Sequence, residues 1–223
     1  MINKKTWESN FFKRDIWSLD IDKFDSLTLL PEGLITCKVP STDTKAITKI
    51  QEFDFKYCES ELIFECIIDD DIEQVDGPEI ATIKSLDELI SFSKSSYIFS
   101  RFRQPWFTEE ERDSFYCKWI ENSLIYEYED YFIIDKSHNK QINGFVTLKV
   151  YNDTAKIGLI NVKQEYRGLG IASRLIKYAK YICQKNDIKK LLVSTQLSNT
   201  QAIRTYERME FKMIDSNLWF YKG

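Results

Sequence analysis

The stretch A-K-I-G-L-I-N-V-K-Q-E-Y-R-G-L-G-I-A-S-R-L-I-K-Y-A-K-Y-I-C, residues 155–183, decides the fold. Apolar residues before the turn R-G-L-G-I-A (167–172) indicate a partly buried strand, and those after it recur at helical spacing. Two of the chain's seven glycines, Gly168 and Gly170, lie in that turn. Glycine lets the backbone approach a ligand closely, and N–H groups at a helix start favour an anion. The stretch therefore predicts a strand, a phosphate-binding turn and a helix.

Three kinds of phosphate site compete for this turn, and a tight connection without a ligand is the fourth interpretation. The string G-L-G-I-A-S lacks the third glycine of the dinucleotide fingerprint, and the chain has no G-x-x-x-x-G-K-[ST] string. It does contain R-x-x-G-x-A, and so it resembles the GNAT superfamily of acyl-CoA N-acyltransferases. The resemblance implies that the turn holds the pyrophosphate of acetyl-CoA. The cofactor-binding residues that it implies are Leu159, Ile160, Val162, Arg167, Gly168, Leu169, Gly170, Ile171, Ala172, Asn199 and Tyr206.

Composition limits the classes of function. The 223 residues are 43% hydrophobic and 30% charged, which allows a sizeable core in a water-soluble chain. A net charge of −4 argues against a general nucleic-acid binder. No apolar run approaches the length of a membrane span, and the polar start is not typical of a signal peptide. The sequence predicts a cytoplasmic protein with neither nucleic-acid binding nor membrane insertion.

Cysteine and histidine usage narrows the chemistry. The 5 cysteines show no C-x-x-C pairing and are expected to be reduced, mostly buried thiols. The single histidine, His138, lies in K-S-H-N-K, which is interpreted as an exposed turn. One histidine argues against a histidine-rich metal site and against a Ser–His or Cys–His hydrolase. We therefore expect no metal, and catalysis by other residue types.

The first 76 residues predict a small N-terminal α/β domain. An acidic stretch ending in Asp76-Gly77-Pro78 breaks the backbone after it, so we place the domain boundary there. Residues 77–223 then form the acetyl-CoA-binding catalytic domain. The predicted N-terminal elements are a strand over 16–21, a strand ending near Pro40, a helix over 41–53 and two strands within 55–68.

The second part predicts an α/β (α+β) fold. Capping boxes at Ser85 and Thr108 mark two helix starts. The order of elements is the GNAT order, which implies a mixed, mostly antiparallel central sheet flanked by helices. The predicted elements are helices over 85–97 and 108–124, strands over 131–134, 142–151 and 156–162, the helix after the turn, a strand over 191–195, a helix over 199–209, and a strand pair over 211–214 and 218–221.

A closer resemblance extends over most of the chain. The strings W-E-S-N-F-F, S-R-F-R-Q-P-W-F, F-Y-C-K-W-I-E-N, I-G-L-I and S-N-T-Q-A-I-R-T-Y resemble the TDP-fucosamine acetyltransferases. These enzymes N-acetylate dTDP-4-amino-4,6-dideoxygalactose. The resemblance implies a cytoplasmic, homodimeric enzyme of lipopolysaccharide or surface-polysaccharide precursor synthesis. It leaves open the sugar, since gluco or 3-amino relatives share such residues. The complete R-G-L-G-I-A turn is a departure from that branch.

The loop S-R-F-R-Q-P-W-F predicts an acceptor site. Arginine forks suit diphosphates, and neighbouring aromatic rings can stack on a thymine or a sugar face. Arg101, Arg103 and Trp106 are therefore predicted substrate-binding residues, with Phe102 as a second candidate ring. The alternative is that the two arginines are ordinary surface charges.

The reaction makes two demands on proton transfer. A sugar amine has a lower pKa than a lysine-like amine, so it needs only a weak base. No Asp or Glu stands on the central strand, and we hypothesise direct attack without a dedicated general base. The leaving thiolate has a pKa near that of cysteine, so a tyrosine donates to it uphill by about 1.5 units, or ~2 kcal/mol. Tyr206, seven residues after Asn199, is the predicted general acid, since the superfamily places one there. The alternative is that it only packs its helix.

Other functions stay open at this point. A GNAT enzyme acting on a protein amine or an aminoglycoside would share the acetyl-CoA turn. A degenerate relative that binds CoA as a sensor would share it too, although the intact turn and Tyr206 argue against degeneracy. The arginine–aromatic loop favours an anionic acceptor.

Overall fold

The computed structural model describes residues 1–24, 29–69, 71–137 and 139–223. His138, predicted to lie in an exposed turn, is outside the described residues. The helices and strands are β1 (Ile2–Lys4), α1 (Thr6–Phe12), β2 (Ile16–Leu19), β3 (Leu34–Pro40), α2 (Thr44–Glu52), β4 (Lys56–Ile67), β5 (Glu79–Ile80), α3 (Leu86–Ser93), α4 (Glu109–Ile125), β6 (Tyr131–Lys136), β7 (Ile142–Tyr151), β8 (Thr154–Val162), α5 (Ile171–Lys185), β9 (Lys190–Gln196), α6 (Thr200–Arg208) and β10 (Lys212–Lys222).

The strands form one sheet in the order β1-β2-β3-β10-β4-β9-β8-β7-β6-β5. Among the described residues, β2–β3 and β8–β9 are parallel pairs, and the other neighbours are antiparallel. A parallel pair needs a crossover connection, and α5 supplies the one between β8 and β9. The mixed, mostly antiparallel sheet agrees with the predicted fold class.

Helices cover both faces of this sheet. The helices α5 and α6 pack on one face, where Leu175 and Tyr206 belong to the same buried cluster as Val146 of β7. The helices α3 and α4 pack on the other, where Leu89 and Ile120 belong to the same buried cluster as Phe145. Neighbouring residues of β7 thus face opposite cores, as the period of two along a strand requires. The helix α2 and the N-terminal strands enclose a third apolar cluster.

Three helix starts follow from local sequence. Asp43 caps α2 by accepting from the Ala46 N–H, and Asn199 caps α6 in the same way. At α4, the Thr108 side chain accepts from the Glu111 N–H, and the Glu111 carboxylate accepts from the Thr108 N–H. The capping box predicted at Thr108 is therefore confirmed, and the helix predicted to start at Asn199 begins there with a side-chain cap.

The capping box predicted at Ser85 is wrong. Ser85 ends a 3-10 turn (Ile83–Ser85) that continues into α3, and its side chain makes no capping bond. The reason lies in the partner residue. The Glu88 carboxylate accepts instead from the Ile142 N–H and the Lys163 ammonium, each at 2.9 Å. Glu88 is bound by residues distant in sequence, so its carboxylate is not available for a capping box. The helix α3 also ends at Ser93, earlier than predicted.

Two predicted strand pairs are single strands. Residues 55–68 contain one continuous strand, β4. The polar residues in its middle stay in the strand because β10 and β9 pair with it on both sides. The predicted pair over 211–221 is β10, which runs unbroken between β3 and β4. A register shift between Met213 and Asp215 absorbs the irregularity that the sequence suggests is a turn.

The predicted domain boundary after residue 76 stays a prediction. The sheet itself runs across it, since β10 lies between β3 and β4. The elements from α3 to β10 otherwise follow the predicted order. The chain places β8 in the middle of the C-terminal half of the sheet, with the predicted phosphate turn at its end.

Candidate active site

The strands β8 and β9 separate halfway along β8. Their parallel pairing ends at Ile157. Further along, the Lys163 N–H donates to the Asn143 carbonyl at 2.8 Å, on the side of β7. Because N–H groups alternate in direction along a strand, those of Ile160 and Val162 point away from β7, into the gap. The gap therefore offers unpaired amides to an extended ligand.

The turn after β8 presents free N–H groups. Among the described residues, the N–H groups of 168–173 donate no hydrogen bond, and the first bond of α5 runs from the Arg174 N–H to the Gly170 carbonyl, 3.0 Å. Gly168 and Gly170 have φ of 80° and 77°, a backbone conformation that favours glycine. Unpaired amides at a helix start bind anions, so this turn fits a pyrophosphate.

The side chains around this turn have separate positions. Arg167 is exposed and donates from Nε to the Val162 carbonyl at 3.2 Å. Leu169 is 65% exposed, whereas the Ile171 side chain is buried in the core. Ala172 is half-buried in the first turn of α5. These residues can contribute their backbone to a phosphate site, as the glycines do.

An ion pair with a buried carboxylate fixes the start of α5. Arg174 donates from Nε and Nη2 to the Asp135 carboxylate of β6 at 2.6 and 3.1 Å. The Asn143 amide also donates to Asp135, at 3.0 Å. A bidentate arginine–carboxylate pair has a defined geometry, so it holds the first turn of α5, and the free N–H groups with it, against the sheet.

A cavity of about 460 Å³ lies where β8 and β9 separate, and both α4 and α6 contribute to its lining. It brings together five predicted site residues from distant parts of the chain: Arg101, Leu159, Ile160, Asn199 and Tyr206. Its lining is aromatic and charged, with residues that the sequence did not single out. They include Tyr97, Trp119, Tyr128, Glu129, Lys149, Tyr151, Lys156, Gly158, Ser194 and Trp219.

Tyr206 combines a packed ring with a free hydroxyl. The ring lies 5.9 Å from Phe64 and 5.8 Å from Phe211, and the residue is 3% exposed. Its hydroxyl makes no hydrogen bond within the described residues, and Tyr206 lines the cavity. Burial raises the pKa of Tyr206 well above its ordinary value. The group keeps its proton at neutral pH and can donate it to a strong acceptor in the cavity.

Glu129 is a cavity residue that sequence reasoning missed. It follows α4 in the chain, yet it lies against Gly158 of β8. Its Oε1 accepts from the Trp119 indole N–H at 3.0 Å, whereas Oε2 has no partner among the described residues. Burial raises the pKa of the Glu129 carboxyl. The structure thus brings a carboxylate to the central strand, where the sequence shows none.

The bulge of β8 affects Leu159, one of the residues implied to bind the cofactor. The register between β7 and β8 shifts opposite Thr147, at Gly158 and Leu159. The Leu159 N–H donates to Thr147 Oγ1 at 2.9 Å, so it is not free to polarise a ligand carbonyl. The N–H of Ile160, the next residue, points into the gap.

Arg101 lies within the cavity wall, already paired. Its guanidinium donates to the Tyr221 hydroxyl at 2.6 Å and lies 3.3 Å from Glu8 Oε1. It also lies over the rings of Phe102 and Trp219, at 4.1 and 4.4 Å from their centroids. Phe102 itself is buried against α4. These contacts join α1, the arginine–aromatic loop S-R-F-R-Q-P-W-F and β10 at one edge of the cavity.

Arg103 and Trp106 do not line the cavity. Arg103 is exposed and donates to the Cys58 carbonyl. Trp106 is half-buried, with its ring 5.1 Å from that of Tyr221, and its carbonyl accepts from Arg14 at 2.8 Å. Their predicted role in acceptor binding stays a prediction.

Two further polar atoms face the cavity without a partner in the described part of the chain. They are the Tyr97 hydroxyl and Ser194 Oγ, and neither is exposed to solvent. The Tyr97 ring stacks on Tyr116 at 4.1 Å. Unpaired buried polar atoms are rare in proteins, and their concentration with Glu129 in one cavity indicates a polar ligand.

The described residues also bear on metals and membranes. Within them, no cluster of His, Cys, Asp or Glu is arranged to hold a metal ion. None of their helices has the length and apolar character needed to cross a bilayer. The cysteines Cys37, Cys58, Cys66 and Cys183 are free and buried, and Cys117 is free and partly buried.

The sequence is similar to a protein family and to individual proteins of known type. The model of the acetyltransferase (GNAT) family matches residues 92–211. The dTDP-fucosamine acetyltransferase of Escherichia coli O6:H1 is 25% identical over 226 aligned residues, covering 99% of this chain and 97% of that protein. The spore coat polysaccharide biosynthesis protein SpsD of Bacillus subtilis is 30% identical over 65% of this chain and 48% of that protein.

Solved structures share the fold. A GCN5-related N-acetyltransferase from Sphaerobacter thermophilus superimposes with a TM-score of 0.62 at 15% identity. The match covers 85% of this chain, which spans 59% of the length of that protein. The predicted fold class is confirmed.

Proposed function

Because the chain belongs to the GNAT family of acetyltransferases, we propose that it N-acetylates a dTDP-linked amino-dideoxyhexose with acetyl-CoA as the donor. The acceptor is dTDP-4-amino-4,6-dideoxygalactose or a close relative, and the product is a precursor of a surface polysaccharide. One observation carries the choice of acceptor. Similarity to the dTDP-fucosamine acetyltransferase runs over 99% of the chain and so includes the N-terminal strands outside the family match.

The donor site is built from backbone groups. Acetyl-CoA, the acyl donor of this family, supplies a thioester with a good leaving group. The free N–H groups of residues 168–173 bind its pyrophosphate. The N–H groups of Ile160 and Val162 bind the pantetheine arm in the gap between β8 and β9. With the Leu159 N–H already used, Ile160 is the nearest amide to the thioester carbonyl.

Two cavity side chains handle the protons. As the new N–C bond forms, the acceptor nitrogen loses a proton to Glu129 Oε2, the unpaired carboxylate oxygen. As the C–S bond breaks, the Tyr206 hydroxyl protonates the leaving sulfur. A raised carboxyl pKa brings Glu129 closer to the pH at which a base is most effective. The proposal that Glu129 is the base replaces the hypothesis that the reaction has no dedicated general base. The amine still attacks the thioester directly.

We further propose a cytoplasmic homodimer, as the resemblance implies. Free, mostly buried cysteines support a reducing compartment. Light scattering of the purified protein measures the assembly directly, and a monomer at micromolar concentration would remove the dimer from the proposal.

The test is release of free thiol from acetyl-CoA with a panel of acceptors. The panel contains dTDP-4-amino-4,6-dideoxygalactose, its gluco epimer, a dTDP-3-amino sugar, an N-terminal peptide and an aminoglycoside. We expect turnover with a dTDP-amino sugar, and a product heavier by one acetyl group in mass spectrometry.

The control acceptors decide between alternatives. Turnover with the peptide alone would assign the protein to protein-amine acetylation. Acetyl-CoA binding without turnover on any amine would favour a CoA-binding regulator.

A further inference from the structure

The β7–β8 hairpin places two lysines directly opposite each other. Lys149 of β7 pairs in register with Lys156 of β8, and both line the cavity. Like charges at such positions repel, since the side chains start only about 5 Å apart. Lys156 makes no hydrogen bond or ion pair within the described residues, whereas Lys149 forms an ion pair with the partly exposed Asp130 at 3.4 Å. Both lysines also attract the nearby Glu129 carboxyl, and their charges lower its pKa against the larger effect of burial. An anion bound between the two ammonium groups would relieve the repulsion.

Aromatic rings lie beyond the lysines. Tyr151 follows Lys149 by two residues and so projects from the same face of the sheet. Tyr128 precedes Glu129 and also lines the cavity. Both tyrosine rings are 58% exposed, in a protein whose other cavity rings are mostly covered. Exposed rings beside a cationic pair suit a planar base attached to a phosphate.

We propose that this hairpin is the nucleoside diphosphate subsite of the acceptor, with Lys149 and Lys156 on the diphosphate and Tyr128 and Tyr151 on the base. The assignment rests on the proposed function and adds the residues that recognise the nucleotide. It places that recognition on the hairpin, away from the arginine–aromatic loop.

The order of groups along the hairpin matches the order within the ligand. Glu129 and Gly158 mark the position of the reacting amine. Lys156 lies two residues before Gly158, or roughly 7 Å along the strand, a separation comparable to one sugar ring. Tyr151 lies one further step toward the end of the hairpin. Amine, diphosphate and base thus follow each other along β7 and β8.

The donor enters from the opposite end of β8. The free N–H groups of residues 168–173 come after the strand, whereas the lysine pair is near its start. The two nucleotides of the reaction therefore have separate sites. The arginine loop offers less for a diphosphate, because Arg101 is paired with Tyr221 and Glu8, and Arg103 is outside the cavity.

The test is calorimetric titration of dTDP itself into the purified protein. We expect the wild type to bind dTDP, each of Lys149→Gln and Lys156→Gln to weaken binding about tenfold, and the double variant to weaken it further. The double variant Lys149→Arg/Lys156→Arg should retain binding, because it keeps both charges. Lys45→Gln on α2 is the matched control, since it removes an exposed lysine far from the cavity.

A second measurement separates the sources of failure. Acetyl-CoA should bind the glutamine double variant as tightly as the wild type, which shows that the protein is folded and that the lysines do not serve CoA. If the wild type acetylates the dTDP sugar and the double variant has an unchanged KM, the function stands and the subsite is rejected. If the wild type neither binds dTDP nor acetylates the sugar, the proposed function fails, and the subsite fails with it.

Discussion

The Glu129 carboxylate occupies the space that a side chain at Gly158 would need. A Cβ on Gly158 would lie 2.3 Å from Glu129 Oε1 and 3.0 Å from Thr147 Oγ1. The glycine has no left-handed backbone angle that requires it. Its absent side chain is what lets a carboxylate from the loop after α4 reach the central strand. The glycine at the bulge of β8 therefore determines where the proposed base can lie.

Gly158→Ala should displace the carboxylate and slow the reaction. A shift of about 1 Å in a reacting group costs up to roughly 10²-fold in rate, so we expect kcat to fall between about ten- and a hundredfold. Acetyl-CoA affinity should stay unchanged, because the turn at 167–172 is remote. The control is the same substitution in a Glu129→Gln background. There it should cost little more, and full additivity would separate the glycine from the carboxylate.

Glu129→Gln should remove the base and keep its shape. Glutamine still accepts from the Trp119 indole at Oε1, so the side chain keeps its anchor. General bases contribute about 10²–10⁴ in rate, and kcat/KM should fall by that order. The wild-type profile should lose activity as the pH falls through a carboxyl pKa above its ordinary value. A variant with the same acidic limb would show that the limb belongs to another group.

The same substitution, Glu129→Gln, should also change the stability of the protein in a defined direction. A carboxyl whose pKa is raised in the folded state favours folding below its unfolded pKa, and this contribution is lost as the pH rises through the folded value. Above the folded pKa, the buried charge of Glu129 thus costs stability, and glutamine removes that cost. Thermal unfolding should show the variant at least as stable as the wild type at pH 7, with the difference shrinking toward pH 4.

Sequence reasoning succeeded where chemistry is encoded locally. The strand, turn and helix over 155–183 and the Thr108 capping box each depend on residues within one short string. Glu129 escaped because its position depends on where the loop after α4 returns to the sheet. Nothing in a single sequence indicates that a distant carboxylate fills the space beside the glycine of β8.

The Ser85 prediction failed for a related reason. The string S-L-D-E has the residues of a capping box, but Glu88 found partners on β7 and after β8. Local pattern sets what a residue can do, and tertiary contacts choose among the options. The lysine pair is a further example, since only the hairpin register shows that Lys149 opposes Lys156.

Gly170→Val should weaken the donor site. Gly170 has a φ of 77°, so a β-branched residue strains the turn and covers its N–H groups. We expect the acetyl-CoA dissociation constant to rise at least tenfold, or about 1.4 kcal/mol, in calorimetry. Gly33→Val is the matched control, since Gly33 also has a positive φ and lies against Asp15 rather than against the phosphate turn. This control should lower stability without changing acetyl-CoA affinity. If both variants weakened acetyl-CoA binding equally, backbone strain alone would explain the loss of affinity.

Arg101→Ala and Arg103→Ala should differ. Arg101 lines the cavity and bonds the buried Tyr221 hydroxyl, so its loss should raise the acceptor KM and lower stability by roughly 1–3 kcal/mol. Arg103 is exposed outside the cavity, and its removal should change the acceptor KM less than threefold. Equal increases in KM would support the predicted diphosphate role of both arginines. Acetyl-CoA binding should be unaffected in either variant.

Tyr206→Phe isolates one oxygen atom. The ring keeps its contacts with Phe64 and Phe211, and the deleted hydroxyl bonds nothing within the described residues, so stability should change little. If the hydroxyl protonates the leaving sulfur, kcat should fall by about 10²–10⁴ while both KM values stay within a few-fold. The matched control is Tyr178→Phe on α5, which lies outside the cavity lining.

The leaving group supplies the sharper test of this acid. A donor whose thiol has a lower pKa needs less protonation, so the loss in kcat should shrink with such a donor. Burial raises the pKa of Tyr206, and the basic limb of the wild-type profile should therefore lie above the ordinary tyrosine range. A variant that keeps more than about a third of the wild-type kcat, with thiol release rate-limiting, would leave Tyr206 as a packing residue. Water in the cavity would then have to protonate the sulfur.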